Sequence, residues 1–145
     1  MSKPYVAEIE ENFKKIDDQC GVLTLIKTNM QECLNGNEIQ LTFDLKSNTT
    51  KKISKFENTI KCLETGRFLM VGKISFAYND LAGGKSAKIK LNGVEVTSTV
   101  QNNTLATCNL SAILELKAND SITFHVSASG ATCYPDNMNM FMSEI

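Results

Sequence analysis

Tryptophan is absent from this sequence, and histidine occurs once, as His125. One histidine cannot complete a Cys/His zinc set at any usual ligand spacing. It is also the only histidine available as a base for a nucleophilic serine or cysteine. Its place argues against that role, because it alternates with Ser121, Thr123 and Ser127 on a polar strand face, where it reads as a solvated side chain. Long apolar runs are missing too. No segment approaches the ~20 residues needed to cross a bilayer, so membrane insertion is not expected. A large charge of either sign is missing as well: Lys and Arg number 15 against 16 Asp and Glu, a formal charge of −1. That leaves no basic footprint for nucleic acid.

No pair of cysteines has CxxC spacing. Cys20, Cys33, Cys62, Cys108 and Cys133 are odd in number and irregularly placed. The chain opens Met1-Ser2-Lys3-Pro4-Tyr5 and runs into Glu8, Glu10 and Glu11 rather than an apolar stretch, so no secretory signal is read. The cysteines are therefore expected to be reduced thiols acting as small apolar residues in a chain made inside a cell. What is present is an ordinary globular composition, 145 residues with 42% apolar content, which suits one domain of modal size.

The first 21 residues differ in kind from the rest. Val6, Ile9, Phe13, Ile16, Cys20 and Leu23 recur at alternating intervals of three and four, the seam of a short coiled coil. Ser2 can cap this helix, Pro4 suits its first turn, and the glutamates sit near its positive end. Gly21 marks its end. Two readings stay open, a helix packed on its own domain or a self-associating stem or docking element.

From Val22 the period is two, and residues 22–145 read as one β domain. Val22 to Ile26 is a strand. Ile39, Leu41, Phe43 and Leu45 share a face of the next, after the turn Asn35-Gly36-Asn37. Ser47 to Lys55 reads as a surface loop with a weak strand, and its Asn48-Thr49-Thr50 glycosylation pattern is taken as idle. Arg67 to Tyr78 is apolar on both faces in its first half, which predicts a central strand buried on both sides. Asn92-Gly93 is a hairpin turn. Two long stripes follow, Ala106 to Leu116 and Ile122 to Ala128, and Met138 to Ile145 closes the run. Eight to ten short strands without intervening helices predict an all-β, antiparallel jelly-roll sandwich, preceded by the short N-terminal helix.

Chemistry is sparse. The carboxylates Glu10, Glu11, Asp17, Asp18 and Asp44 are scattered, and nothing singles out a glycosidase pair among them. Ala82-Gly83-Gly84-Lys85 lacks the leading glycine and following helix of a phosphate loop. Asn79, Asp80, Asp120 and Asp136 fall near strand ends, where calcium ligands can converge but where turn residues are also expected. Tyr134 sits in a loop, where a tyrosine stacks on a sugar ring, anchors a protein, or pins down its own loop. No enzyme activity, metal or cofactor is expected. Asn79, Asp80, Tyr134 and Asp136 are the candidate ligand-loop residues.

Three stretches carry a resemblance over about four-fifths of the chain. They are TIKCLETGRFLMVGKISF (Thr59 to Phe76), AKIKLNGVEV (Ala87 to Val96) and LSAILELKANDSITFHV (Leu110 to Val126). In order and spacing they resemble the tumour-necrosis-factor and complement-head jelly-roll family, in the divergent form found on bacteriophage virions. Asn119 stands where the family usually has glycine, a position an asparagine can fill at positive φ. The Met-rich closing segment MNMFMSEI resembles the family's final aromatic strand. The resemblance implies a ten-stranded sandwich that trimerises around a threefold axis through one apolar sheet face. Phe76, Tyr78, Met138, Met140, Phe141 and Met142 are the expected axis contacts. It implies a virion protein, a head-fibre or fibre-tip module, with Val6, Ile9, Phe13 and Ile16 serving as stem or as attachment to a capsid or tail protein. The head would project outward to touch a host-surface glycan through loops 79–85, 101–104 and 129–137. The alternative is a cellular or secreted bacterial carbohydrate- or protein-binding module of the same fold.

Overall fold

The computed structural model describes residues 21–77, 84–102 and 107–145. The expected helix, with Val6, Ile9, Phe13 and Ile16, lies outside the described residues. Eleven strands are present: β1 (Val22–Lys27), β2 (Glu38–Gln40), β3 (Asp44–Asn48), β4 (Ile53–Phe56), β5 (Thr59–Cys62), β6 (Gly66–Phe76), β7 (Gly84–Leu91), β8 (Val94–Asn102), β9 (Thr107–Leu116), β10 (Ser121–Ser129) and β11 (Pro135–Glu144). They form two antiparallel sheets, ordered β3-β1-β11-β6-β9 and β4-β5-β10-β7-β8, with β2 added to β10. Few sequence neighbours are sheet neighbours, the mark of a jelly roll rather than a meander.

Alternation in each strand decides what goes inside. β6 turns Phe68, Met70, Ile74 and Phe76 inward, and β11 turns in Met138, Met140 and Met142. Ile60, Ala87, Ile89, Ile122, Phe124 and Val126 face them from the other sheet. Fully burying one such side chain is worth roughly 1.5–3 kcal/mol, so this layer dominates the fold's stability. Gly72 on β6 is required by close approach. A Cβ there would collide with the Asn139 carbonyl oxygen and lie 2.6 Å from the Met140 sulfur.

Turn chemistry is where the sequence placed it. Asn92 and Gly93 take φ of 51° and 83° between β7 and β8, and Asn119 takes φ of 77° before β10. Asp120 closes that second turn by accepting from the Lys117 amide at 2.8 Å and the Asn92 side-chain amide at 3.0 Å.

Three expectations change. The stripe Ile39 to Leu45 is not one strand: β2 joins one sheet and β3 the other, and residues 41–43 cross between them. Leu41 and Phe43 are buried at the crossing, where Phe43 packs edge-on to Phe124 at 5.4 Å, while Leu45 faces solvent. Residues 47–55 contain the end of β3 and the start of β4. Asn48 organises the turn between them, accepting from the Thr50 amide at 2.9 Å and donating to the Ile53 carbonyl at 3.0 Å. Finally, β6 is buried on one face alone, since Leu69 is half-buried and Val71 is 44% exposed on the other.

Candidate functional site

The surplus apolar residues gather on the outward face of the five-stranded sheet. Phe141 of β11 lies between Thr24 of β1 and Val71 of β6, and Val71 in turn faces Ser111 of β9. In the adjoining row Ser143, Leu69 and Ile113 sit side by side. Phe141 is 50% exposed and Ile113 56%. Polar residues frame the patch: Asn139, Lys73 and Asn109 form the row beyond it, and Arg67 faces Glu115 at the other end. An apolar centre with a polar rim is the anatomy of a protein–protein contact.

Most of the expected axis contacts are elsewhere. Met138, Met140 and Met142 are at most 1% exposed and Phe76 is 5% exposed. Their side chains fill the core of a single chain and cannot reach a second copy. The physical reason is the pleat: neighbouring residues point to opposite faces, so Phe141 must oppose Met140 and Met142. Phe141 alone of the described set faces outward. Tyr78 lies outside the described residues.

The three expected contact loops share one end of the sandwich. The Ala77 amide donates to the Tyr134 carbonyl at 2.8 Å, Gly84 pairs with both Ser129 and Asn102, and Ser75 pairs with Thr107. The ends of segments 78–83, 103–106 and 130–134 are thus neighbours. Tyr134 and Asp136 are half-buried there, and Asn79 and Asp80 lie outside the described residues. A shared calcium site for Asp120 and Asp136 is ruled out by geometry. They precede β10 and follow it, and β10 is a nine-residue strand spanning about 30 Å.

His125 is not a solvated strand residue. Its side chain is 14% exposed on the outer face of the other sheet. Nε2 shares a hydrogen bond with the Thr123 hydroxyl at 2.8 Å, and Nδ1 lies 3.7 Å from Glu38 Oε2. Glu38 is gripped by Lys88 at 2.8 Å and Lys90 at 2.6 Å, which hold its carboxyl down at about 2. Burial, then the Lys90 charge, lowers the imidazole from its ordinary range. The cluster staples β2 onto β7 and β10. Its carboxylate is consumed by two ammonium groups, and the hydroxyl bonded to the ring is that of Thr123, two positions along the same strand.

Lys27 escaped the sequence reading. It is 1% exposed, and its Nζ donates to the Gln31 side chain at 2.5 Å, the Thr42 hydroxyl at 2.9 Å and the Thr42 carbonyl at 3.0 Å. Burial pushes the ammonium down to about 8. This cage ties the β1–β2 connection to the crossover. Its only sequence signal is an inward position in the β1 alternation, where a lysine is read as solvent-facing by default.

An open cleft of about 340 Å³ lies at the end of the sandwich remote from the loops, lined by Thr65, Gly66, Arg67, Glu115, Leu116 and Lys117. It offers one carboxylate rather than a pair, so it lacks the two acids of a glycosidase. Among the described residues no three His, Cys, Asp or Glu side chains converge to hold a metal ion, and none of their helices is long and apolar enough to cross a membrane.

No protein-family model and no curated protein matches the sequence. Solved structures do. PRD1 vertex protein P5 superposes with a TM-score of 0.69 at 12% identity, covering 86% of this chain and 96% of that one. Murine APRIL gives 0.63 at 13% identity, covering 85% and 98%. The globular domain of zebrafish complement 1qA protein gives 0.55 at 14% identity, covering 83% and 94%. The fold is the tumour-necrosis-factor-like jelly roll. At these identities the likeness speaks for the fold alone.

Proposed function

We propose that this chain is a non-enzymatic, homotrimeric structural module of a bacteriophage virion, a head-fibre or fibre-tip head. The single observation that carries the assembly is the apolar outer face of the five-stranded sheet, Leu69, Val71, Ile113 and Phe141, which one copy leaves uncovered. A closed threefold ring is heterologous, so a second and different surface must meet that face. The edge strand β8 is suited to it, because it exposes Val94, Val96 and Val100. It runs beside β9, with the Thr99 hydroxyl donating to the Asn109 carbonyl at 2.5 Å. The likeness to a phage vertex protein supports the virion setting. In this reading Val6, Ile9, Phe13 and Ile16 dock the module to capsid or tail or extend the trimer as a stem. The shared loop end, with Asn79, Asp80, Tyr134 and Asp136, faces outward toward a host-surface glycan.

Native mass measurement tests the assembly: a trimer gives about 48 kDa, three times the 16.0 kDa chain. A 16 kDa species at micromolar concentration overturns it. Immuno-electron microscopy of particles tests the setting, and removal of residues 1–21 separates docking from stem. A truncated chain that still trimerises but leaves the particle is docked by its N-terminus. A monomer identifies a stem. The second reading, a cellular or secreted bacterial recognition module outside a virion, draws on the likeness to APRIL and the complement domain, at TM-scores of 0.63 and 0.55. It predicts glycan or protein binding with no particle-associated copies.

A further inference from the structure

Two of the cysteines meet. Cys33, in the β1–β2 connection, and Cys133, before β11, form an isolated antiparallel bridge. Each amide donates to the other's carbonyl, at 2.8 and 2.9 Å. The Cys33 thiol donates to the Asn37 carbonyl at 3.3 Å and the Val126 carbonyl at 3.5 Å, and both thiols are buried. A directly opposed, mutually hydrogen-bonded pair sets Cα atoms about 5.5 Å apart, inside the span a disulfide bridges.

We propose that Cys33 and Cys133 are a disulfide site, closed by a low-molecular-weight disulfide oxidant. The bond links the two flaps that close one end of the sandwich. Residues 31–37 are already zipped to 128–135. The Gln31 amide donates to Pro135, the Gly36 amide to Ala128, and the Gly130 amide to the Asn35 side chain. The chemistry balances as thiol–disulfide exchange. Two protein thiols and one small disulfide, such as oxidised glutathione, become one protein disulfide and two small thiols. A thiolate must attack first, and burial raises both thiols, Cys133 to about 12. Closure of the folded protein is therefore slow and rises with pH. Cys108 is the third buried thiol of the neighbourhood. Cys62 lies far off at the β5 end. The reduced thiols expected from the sequence are the open state of this site.

The full chain, purified under reductant, is incubated at pH 8.5 with a mixture of reduced and oxidised glutathione. It is then acid-quenched, unfolded and alkylated with N-ethylmaleimide. Closure makes the chain about 2 Da lighter before alkylation and blocks two of its five thiols. Proteolytic mapping then finds a Cys33–Cys133 linked peptide. The melting temperature of the oxidised form rises by roughly 10 °C and returns on adding reductant. C33S and C133S abolish the mass loss, while C62S retains it. Should the serine variants fold poorly, the linked peptide and the reductant-reversible melting shift of the unmodified chain decide by themselves. Five alkylated thiols after prolonged oxidation overturn the proposal, and so does a link joining Cys108 to Cys133.

Discussion

The two sheets of this sandwich share one core yet present opposite faces to the outside. At its centre the six-stranded sheet is dressed in Ser121, Thr123, His125 and Ser127 along β10 and Lys88 and Lys90 along β7, closed by the Glu38 ion cluster. Its exposed Val94, Val96 and Val100 lie on the edge strand β8. The five-stranded sheet presents Phe141, Val71, Leu69 and Ile113 at its centre and keeps charge to the margin. A sheet face intended for water follows the alternation rule on both sides, while a face intended for another surface breaks it on one. That difference is the reason the five-stranded face is proposed as the contact.

Breaking the apolar face should have the largest effect. Phe141→Glu or Val71→Glu places a charge in the proposed contact and should convert a 48 kDa particle to about 16 kDa chains. Ser127→Glu on the opposite sheet should leave the mass unchanged. Circular dichroism that stays β-rich separates lost association from lost folding. If both substitutions leave the mass alone, the contrast between the faces has no bearing on assembly.

Next is the interior of the same sheet. Gly72→Ala drives a Cβ into the Asn139 backbone and should destabilise the fold by about 3 kcal/mol, read from urea unfolding. An unchanged midpoint would mean that β6 and β11 sit further apart than described. On the polar sheet, Glu38→Gln should cost about 1 kcal/mol, a modest figure because the pair partners keep some contact with water. Its pH signature is sharper. The folded-state carboxyl titrates at about 2 against an ordinary 4.5, so its stabilisation is complete above 4.5 and fades as pH falls from there toward 2. Glu38→Gln should flatten the stability profile across that window.

Lys27 runs the other way. Its ammonium titrates at about 8 when folded against 10.5 when unfolded, so stability should climb as pH rises between those values. Lys27→Met should remove that climb, provided the Gln31 and Thr42 groups it leaves find each other or water. The smallest effect belongs to the β4–β5 hairpin of the polar sheet. Glu57 holds φ at 54° there, and Glu57→Gly should stabilise by about 0.5 kcal/mol.

The sequence exposed some of this and hid the rest for definite reasons. Strand stripes, Asn92-Gly93 and the positive φ of Asn119 were legible because a period of two and turn stereochemistry are local properties. The crossover at residues 41–43 was not, since alternation reads the same whether a segment stays in one sheet or passes between two. The proposed contact surface was half legible. Leu69 and Val71 marked β6 as apolar on a second side, which the single chain leaves half-buried and exposed. The Met-rich β11 misled, because all its apolar residues were assigned to one partner although period two sends Phe141 and the methionines to opposite faces. Lys27 and the meeting of Cys33 with Cys133 depend on segments brought together by topology, which no local pattern encodes.

One end of the sandwich holds the anchors of segments 78–83, 103–106 and 130–134 side by side. Cyclic symmetry in the proposed trimer would aim all three copies of that end in the same direction. A grip too feeble to last when made once would then be made three times over, and simultaneous engagement multiplies residence on a crowded cell surface by orders of magnitude. Changes of length or composition at that tip would alter what is gripped while the scaffold beneath, and the arithmetic of three, stayed as they are.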